Sequence, residues 1–402
     1  MAAVRGMRLK IGDDLKMGKR IKHIFSNNNH SRVTVLGSKP NLYVACISEL
    51  EYLHRVRKVR GSTSSILITI FLVTVIITLP TIITSTANRV YGQPDPMNLT
   101  IADSSPNIHN IPSKKVQVGD IEIAYKMLGK GDPILLISPA QADMNAWEPS
   151  TLSELSSNHT VIVFDNRGVG NTTTGNRPFS IQQFANDTAG LLDALKIQKA
   201  DILGYSLGSF VAQQLAVTHP DKVNRLMLVA ASCGGKDSIP HSPELPKMVI
   251  DVVNRIANDT LVTREELKAL LSQSLGSGWL ELHPNFLESI PIPEAKDLFP
   301  SITPQNNLQQ LKAGEDWMGA NWSGVCDELT DISIPTLIIT GTDDTNVPTQ
   351  NSLIIAGKIP GAWLIQIENA GHSLPGQYPD KMNKILQAFL STTNTTTTVQ
   401  PE

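Results

Sequence analysis

The pentapeptide Gly204-Tyr205-Ser206-Leu207-Gly208 decides how the rest of the chain is read. An apolar run, Ala200-Asp201-Ile202-Leu203, precedes it, and Ser209-Phe210-Val211-Ala212-Gln213-Gln214-Leu215-Ala216 follows with a helical pattern. A strand, a sharp turn and a helix in that order leave a serine at the tip of the turn. Glycines two residues before and after it let helix and strand pass closely, with no Cβ between them. The free N–H groups and the dipole of the helix N-terminus favour negative charge beside the hydroxyl. No other serine of the chain has glycine at both of these positions.

Outward from this turn, short apolar runs recur: Pro133 to Ile137, Val161 to Phe164, Ile202 to Leu203, Leu226 to Val229, Thr336 to Ile339 and Trp363 to Ile367. Helical patterns such as Ile181 to Leu195 and Leu207 to Thr218 separate them. That alternation predicts an α/β fold, a doubly wound and mostly parallel sheet covered on both faces. Val116 to Val118 and Ile121 to Tyr125 alternate around Gly119-Asp120 and predict a hairpin at its start. Between 235 and 331 no strand pattern appears, only amphipathic segments such as Pro246 to Ala257 and Thr263 to Leu275. A helical lid over the carboxyl ends of the strands is expected there.

The N-terminal part is different in kind. Its first sixty residues carry thirteen basic side chains against four acidic ones, within a chain of net charge −3, so the remainder is acidic. An acidic main domain argues against a nucleic-acid partner. Ile66 to Ile83 reads ILITIFLVTVIITLPTII, with no charge from Ser62 to Asn88. At about 1.5 Å per residue this stretch and its flanks reach roughly 30 Å, enough to span a bilayer. Arg55, Arg57, Lys58 and Arg60 lie before it and Arg89 after, which places the N-terminus in the cytoplasm and the large domain outside. The expected organisation is a basic tail over 1–62, a transmembrane helix at 63–87, a tether at 88–113, a catalytic domain at 114–392 with its lid at 235–331, and a disordered tail at 393–402. A secretory signal cleaved near Ala87 is the alternative, and sixty preceding residues are long for one unless translation starts later, near Val56. Asn-x-Ser/Thr triplets, for example at Asn158 and Asn258, permit glycosylation outside a cell. Cys46, Cys233 and Cys326 are too few for a disulfide framework, so the domain is expected to rely on its core.

A serine hydroxyl needs a base, and the base needs a carboxylate to hold it. Of nine histidines, His372 stands on a loop directly after a strand pattern, in Asn369-Ala370-Gly371-His372-Ser373. Asp343 and Asp344 both follow the strand ending at Thr340 and are both candidates for the acid. Gly168-Val169-Gly170 lacks the third glycine of a dinucleotide cradle, and no His-Glu-x-x-His or Cys/His cluster suggests a metal, so neither cofactor nor metal is expected.

With serine, acid and histidine in that order, the chain from Lys114 to Leu390 resembles the α/β-hydrolase superfamily. Asp165-Asn166-Arg167-Gly168-Val169-Gly170 is similar to the family's Asp-x-Arg-Gly-x-Gly loop, and the Gly-x-x-Asp-x-x-x-Pro form of the acid loop implies Asp344 rather than Asp343. The resemblance implies a Ser206–His372–Asp344 triad. It also implies an oxyanion hole made by the backbone N–H groups of Ala140, counted back from Trp147, and Leu207. Ser138-Pro139-Ala140-Gln141 stands where the family usually carries His-Gly. The implied activity is that of a serine hydrolase, carboxylesterase-like, cleaving a small-molecule acyl substrate. Perhydrolysis of the haloperoxidase kind, or lactone or amide cleavage, could share the triad. A membrane-tethered ligand-binding sensor with the same fold is the non-enzymatic alternative. Trp279, Trp317, Met318 and Trp322 either line an apolar acyl pocket or pack within the lid.

Overall fold

The computed structural model describes residues 108–258, 260–290, 299–319 and 324–392, together with the backbone of two short upstream strands, β1 (Val33–Val35) and β2 (Tyr43–Ile47). The expected transmembrane helix at 63–87, most of the tether and the tail at 393–402 lie outside the described residues. Among the described residues no helix is long and apolar enough to cross a membrane.

Strands β3 (Lys114–Val118) and β4 (Ile121–Leu128) form the expected hairpin, Val118 facing Ile121 across a tight turn with Gly119 at φ 55°. Then come β5 (Asp132–Ile137), β6 (His159–Phe164), β7 (Ala200–Tyr205), β8 (Val223–Val229), β9 (Thr336–Gly341) and β10 (Trp363–Ile367). The sheet order is β10-β9-β8-β7-β5-β6-β4-β3, with β1 and β2 beyond β10. From β10 to β6 every pairing is parallel, and β4 joins β6 antiparallel.

The inner strands β5 to β9 are buried over most of their length because both faces are covered. Leu135, Ile137, Ile162, Phe164, Ile202, Leu226 and Leu228 enter one core with α2 (Ile181–Ala194), α3 (Leu207–Thr218) and α9 (Thr349–Lys358). Their neighbours Leu136, Val161, Val163, Leu203 and Met227, one residue out of phase, are equally buried and so point to the other face. α1 (Pro149–Ser156) and α11 (Pro379–Leu390) pack on each other outside the first core. Helix α2 starts at Ser180, whose hydroxyl accepts from the Gln183 N–H.

The lid is helical as expected: α4 (Glu244–Ala257), α5 (Arg264–Ser274), α6 (Ser277–Leu282), α7 (Phe286–Ser289) and α8 (Pro304–Met318). It has a small core of its own around Val252, Val262 and Leu267. The reliance on core packing alone is corrected here. Cys233, after β8, and Cys326, before β9, form a disulfide with Cα atoms 5.0 Å apart, closing the two ends of the lid across 93 residues of sequence.

Candidate active site

Register brings the site together. Ile137 of β5 pairs with Gly204 of β7, so the loops leaving those two strands emerge side by side. Ser206 turns at φ 54°, ψ −120°, a left-handed conformation for a residue with a side chain, and its N–H donates to Val229 O at 2.9 Å. Both glycines of the pentapeptide are required by close approach. A Cβ on Gly204 would lie 2.3 Å from Gly208 O, and one on Gly208 would lie 2.0 Å from Ile137 O.

His372 follows β10, Asp344 follows β9, and both loops turn toward Ser206. His372 Nε2 is 2.9 Å from Ser206 Oγ, and Nδ1 is 2.9 Å from Asp344 Oδ2 and 3.2 Å from Oδ1. Asp344 is 4% exposed, and its Oδ1 accepts the N–H groups of Asn346 and Val347. Those donors give the buried carboxylate the hydrogen bonds it loses in leaving water. With the acid accepting at Nδ1, the imidazole presents a free lone pair at Nε2 to the serine hydroxyl. A hydroxyl, a base and an orienting acid in one line can pass a proton away from oxygen.

The two adjacent carboxylates face opposite ways. Asp343 directs Oδ2 to the Gly278 N–H and the Ser277 hydroxyl at the start of α6, so it caps a lid helix. Its own N–H donates to Ala370 O, joining the acid loop to the histidine loop.

Ala140 and Leu207 each stand three residues beyond the Ile137–Gly204 pair. Among the described residues neither N–H is donated to a protein acceptor. Ser138, in the place of the expected histidine, is fully buried and accepts from Trp147 Nε1 at 3.1 Å. Gln141 has φ 69°, a conformation costing a residue with a Cβ about 1–2 kcal/mol.

The Asp165–Gly170 loop serves as scaffold. Arg167 is buried and holds Asp187 and Asp120 through paired hydrogen bonds, keeping the Asp120 carboxyl well below the usual range. Burial pushes the Asp165 carboxyl up to about 6, although it accepts the Met144 and Asn171 N–H groups.

Several residues at the site were invisible to the motifs. Tyr205 Oη donates to His372 O at 2.9 Å, and Gln377 Oε1 accepts the Gly371 N–H. From the lid, Gln310 Oε1 accepts the Gln141 N–H at 2.6 Å. None of these partners follows from spacing. The apolar acyl-pocket reading of the lid gives way to packing at two positions. Trp317 stacks on Phe210 and donates to Ser232 O, and Trp279 stacks on His283. Met318 lies half-buried against the core, and Trp322 lies outside the described residues. Among the described residues no cluster of His, Cys, Asp and Glu could hold a metal ion.

Residues 132–377 match the family described as the alpha/beta hydrolase fold, and the chain belongs to that family. It is an enzyme of the alpha/beta-hydrolase and esterase type. A putative carbamate hydrolase, RutD of Azorhizobium caulinodans, is 25% identical over 289 residues, 67% of this chain and 96% of that protein. A thermophilic esterase from Thermogutta terrifontis superposes with a TM-score of 0.54 at 25% identity, covering 69% of this chain and 98% of its own. Est816, described as an N-acyl homoserine lactone degrading enzyme, gives 0.55 at 27%, covering 69% and 100%.

Proposed function

We propose that the protein is a serine hydrolase that cleaves a carboxylic ester or related acyl bond through an acyl-enzyme. The Ser206 Oγ–His372 Nε2 and His372 Nδ1–Asp344 contacts carry this reading. His372 takes the proton as Ser206 Oγ attacks the acyl carbon, and the Ala140 and Leu207 N–H groups receive the oxyanion. The imidazolium, held by Asp344, gives its proton to the leaving alcohol. Water then attacks the acyl-enzyme with His372 as base, which frees the acid and restores Ser206. Ser206→Ala should abolish ester turnover and labelling by a fluorophosphonate probe; turnover that persists in this variant overturns the proposal. Likeness to the lactone-degrading Est816 supports a lactone, an internal ester, as a second substrate class for the same steps. An ester and lactone panel separates the two.

The apolar run at 66–83 is proposed to anchor the catalytic domain outside the cytoplasm. The Cys233–Cys326 disulfide supports an oxidising surrounding. One crossing would part β2 from β10, which the sheet order sets side by side, so the two arrangements exclude each other. Cys46 stands outside the disulfide and reports the difference. An impermeant maleimide that leaves Cys46 unlabelled on intact cells, and labels it after lysis, supports the crossing; labelling on intact cells overturns it.

A further inference from the structure

Helix α8 buries three amide side chains, Asn306, Asn307 and Gln310, at 8%, 1% and 0% exposure. Apolar residues usually occupy such positions, because an amide must find partners for what it loses in water. All the partners found lie on the loops that follow β5, beside the Ser206 turn, and β6, one strand further on. Asn306 Nδ2 donates to Gly168 O and Thr174 Oγ1, each at 3.0 Å. Asn307 Oδ1 accepts from Gln141 Nε2 at 2.8 Å, and Gln310 Oε1 accepts from the Gln141 backbone N–H at 2.6 Å. One turn beyond Gln310, a Cβ on Gly314 would lie 3.6 Å from Leu207 Cδ1. The helix therefore holds the residue after Ala140 and passes beside the side chain of Leu207, next to the two residues of the oxyanion reading.

The amide of Gln310 can be oriented in one way. The Gln141 N–H requires an acceptor, so the oxygen faces it and Nε2 is the other arm. That nitrogen is buried and has no partner among the described residues. A side chain satisfied on one arm only is a poor choice for stability, since a methionine of similar length would fill the space without an orphaned donor. What glutamine supplies and methionine cannot is the acceptor for Gln141, a residue held at left-handed φ next to Ala140.

We propose that Gln310 is a positioning residue for the oxyanion loop: it fixes the turn at Gln141 and thereby the direction of the Ala140 N–H. The inference rests on the serine-hydrolase reading and adds to it a dependence of transition-state binding on the lid helix. Released from Gln310, the turn relaxes and one of two donors loses its aim, while ground-state binding elsewhere in the site is unchanged.

The test is Gln310→Met in the full chain, with ester kinetics, inhibition by a boronic acid that forms a tetrahedral adduct, and thermal unfolding. The expected result is a kcat lower by about 10- to 100-fold, KM within about threefold, and boronate affinity lower in proportion to kcat, with an unfolding midpoint unchanged or raised. An unchanged kcat overturns the inference, as does a kcat loss that appears only with a lowered midpoint. Should this variant not fold, Gln310→Asn withdraws the acceptor by one methylene and keeps the amide; the same selective loss is expected, and wild-type kcat overturns the inference. Ser206→Ala is measured in parallel. Turnover abolished there but intact in Gln310→Met sinks the role of Gln310 alone, whereas turnover surviving in Ser206→Ala sinks the reading beneath it.

Discussion

The two sides of the site are held by different means. On the acid and base side the loops are tied by main chain to main chain: Ser206 N–H to Val229 O, Ala230 N–H to Ile339 O, Thr342 N–H to Ile367 O and Asp343 N–H to Ala370 O. These bonds prolong the sheet pairings past the strand ends. On the oxyanion side Gln141 is held by side chains of α8, 166 and 169 residues away in sequence. The first side comes with the sheet, whereas the second depends on an insertion docking correctly. Changes in α8 should therefore reach the oxyanion side first and leave the proton path intact.

The largest expected effect falls on the sheet-held side. Asp344→Asn preserves shape but removes the carboxylate that fixes the imidazole tautomer, and kcat should drop by about 10⁴-fold with the fold intact. Steady-state ester kinetics check this, and a loss under about tenfold would break the comparison at its stronger end. Next is the clasp of the lid. Replacing Cys233 and Cys326 with alanine frees a loop of 93 residues and should lower stability by about 4 kcal/mol, read as a fall in the urea midpoint. If the stability loss is confined to the lid, hydrogen exchange should rise in α4 to α8 and stay low in β7 and β9.

A smaller effect tests the scaffold between the two sides. Asp165 has a folded-state pKa of about 6, above its ordinary value near 3.9, so the folded protein holds a proton that the unfolded chain has released between these limits. The sign follows: this group's contribution is most favourable below about pH 4 and is lost as pH rises through about 6, by at most about 3 kcal/mol. The measurement is the stability difference between wild type and Asp165→Asn from pH 4 to 7, and a difference independent of pH would refute it. The smallest effect is local to the lid. Thr263 and Glu266 form a capping box at the start of α5, and Thr263→Ala should cost about 1 kcal/mol with kcat unchanged.

What could be read in advance follows the same division. Strand and helix alternation and the pentapeptide are local patterns set by burial and turn geometry, whereas grouping Ser206, Asp344 and His372 rests on the family's chain order, and the eight core strands fall where the apolar runs stand. The lid helices α4 and α5 showed apolar periodicity and were legible to within two residues. Helix α8 shows no apolar periodicity, because its inward positions Asn306, Asn307 and Gln310 carry amides in place of hydrocarbon. The Cys233–Cys326 bond was missed for a related reason: pairing across 93 residues is a fact of topology. Choosing Asp344 over Asp343 needed the family pattern, since two neighbouring carboxylates differ only in which way the turn points them.

One contact remains to be followed to its end. A Cβ on Gly371 would fall 2.2 Å from Gly276 N, and the Ser373 N–H donates to Ser274 O, so the histidine loop and the junction between α5 and α6 touch backbone to backbone. Between Gly371 and Gly276 themselves there is no room for a Cβ. Lifting that end of the roof drags the imidazole along, so an opening there would also disarm the base, and the protein cannot be ajar and primed at this corner at once.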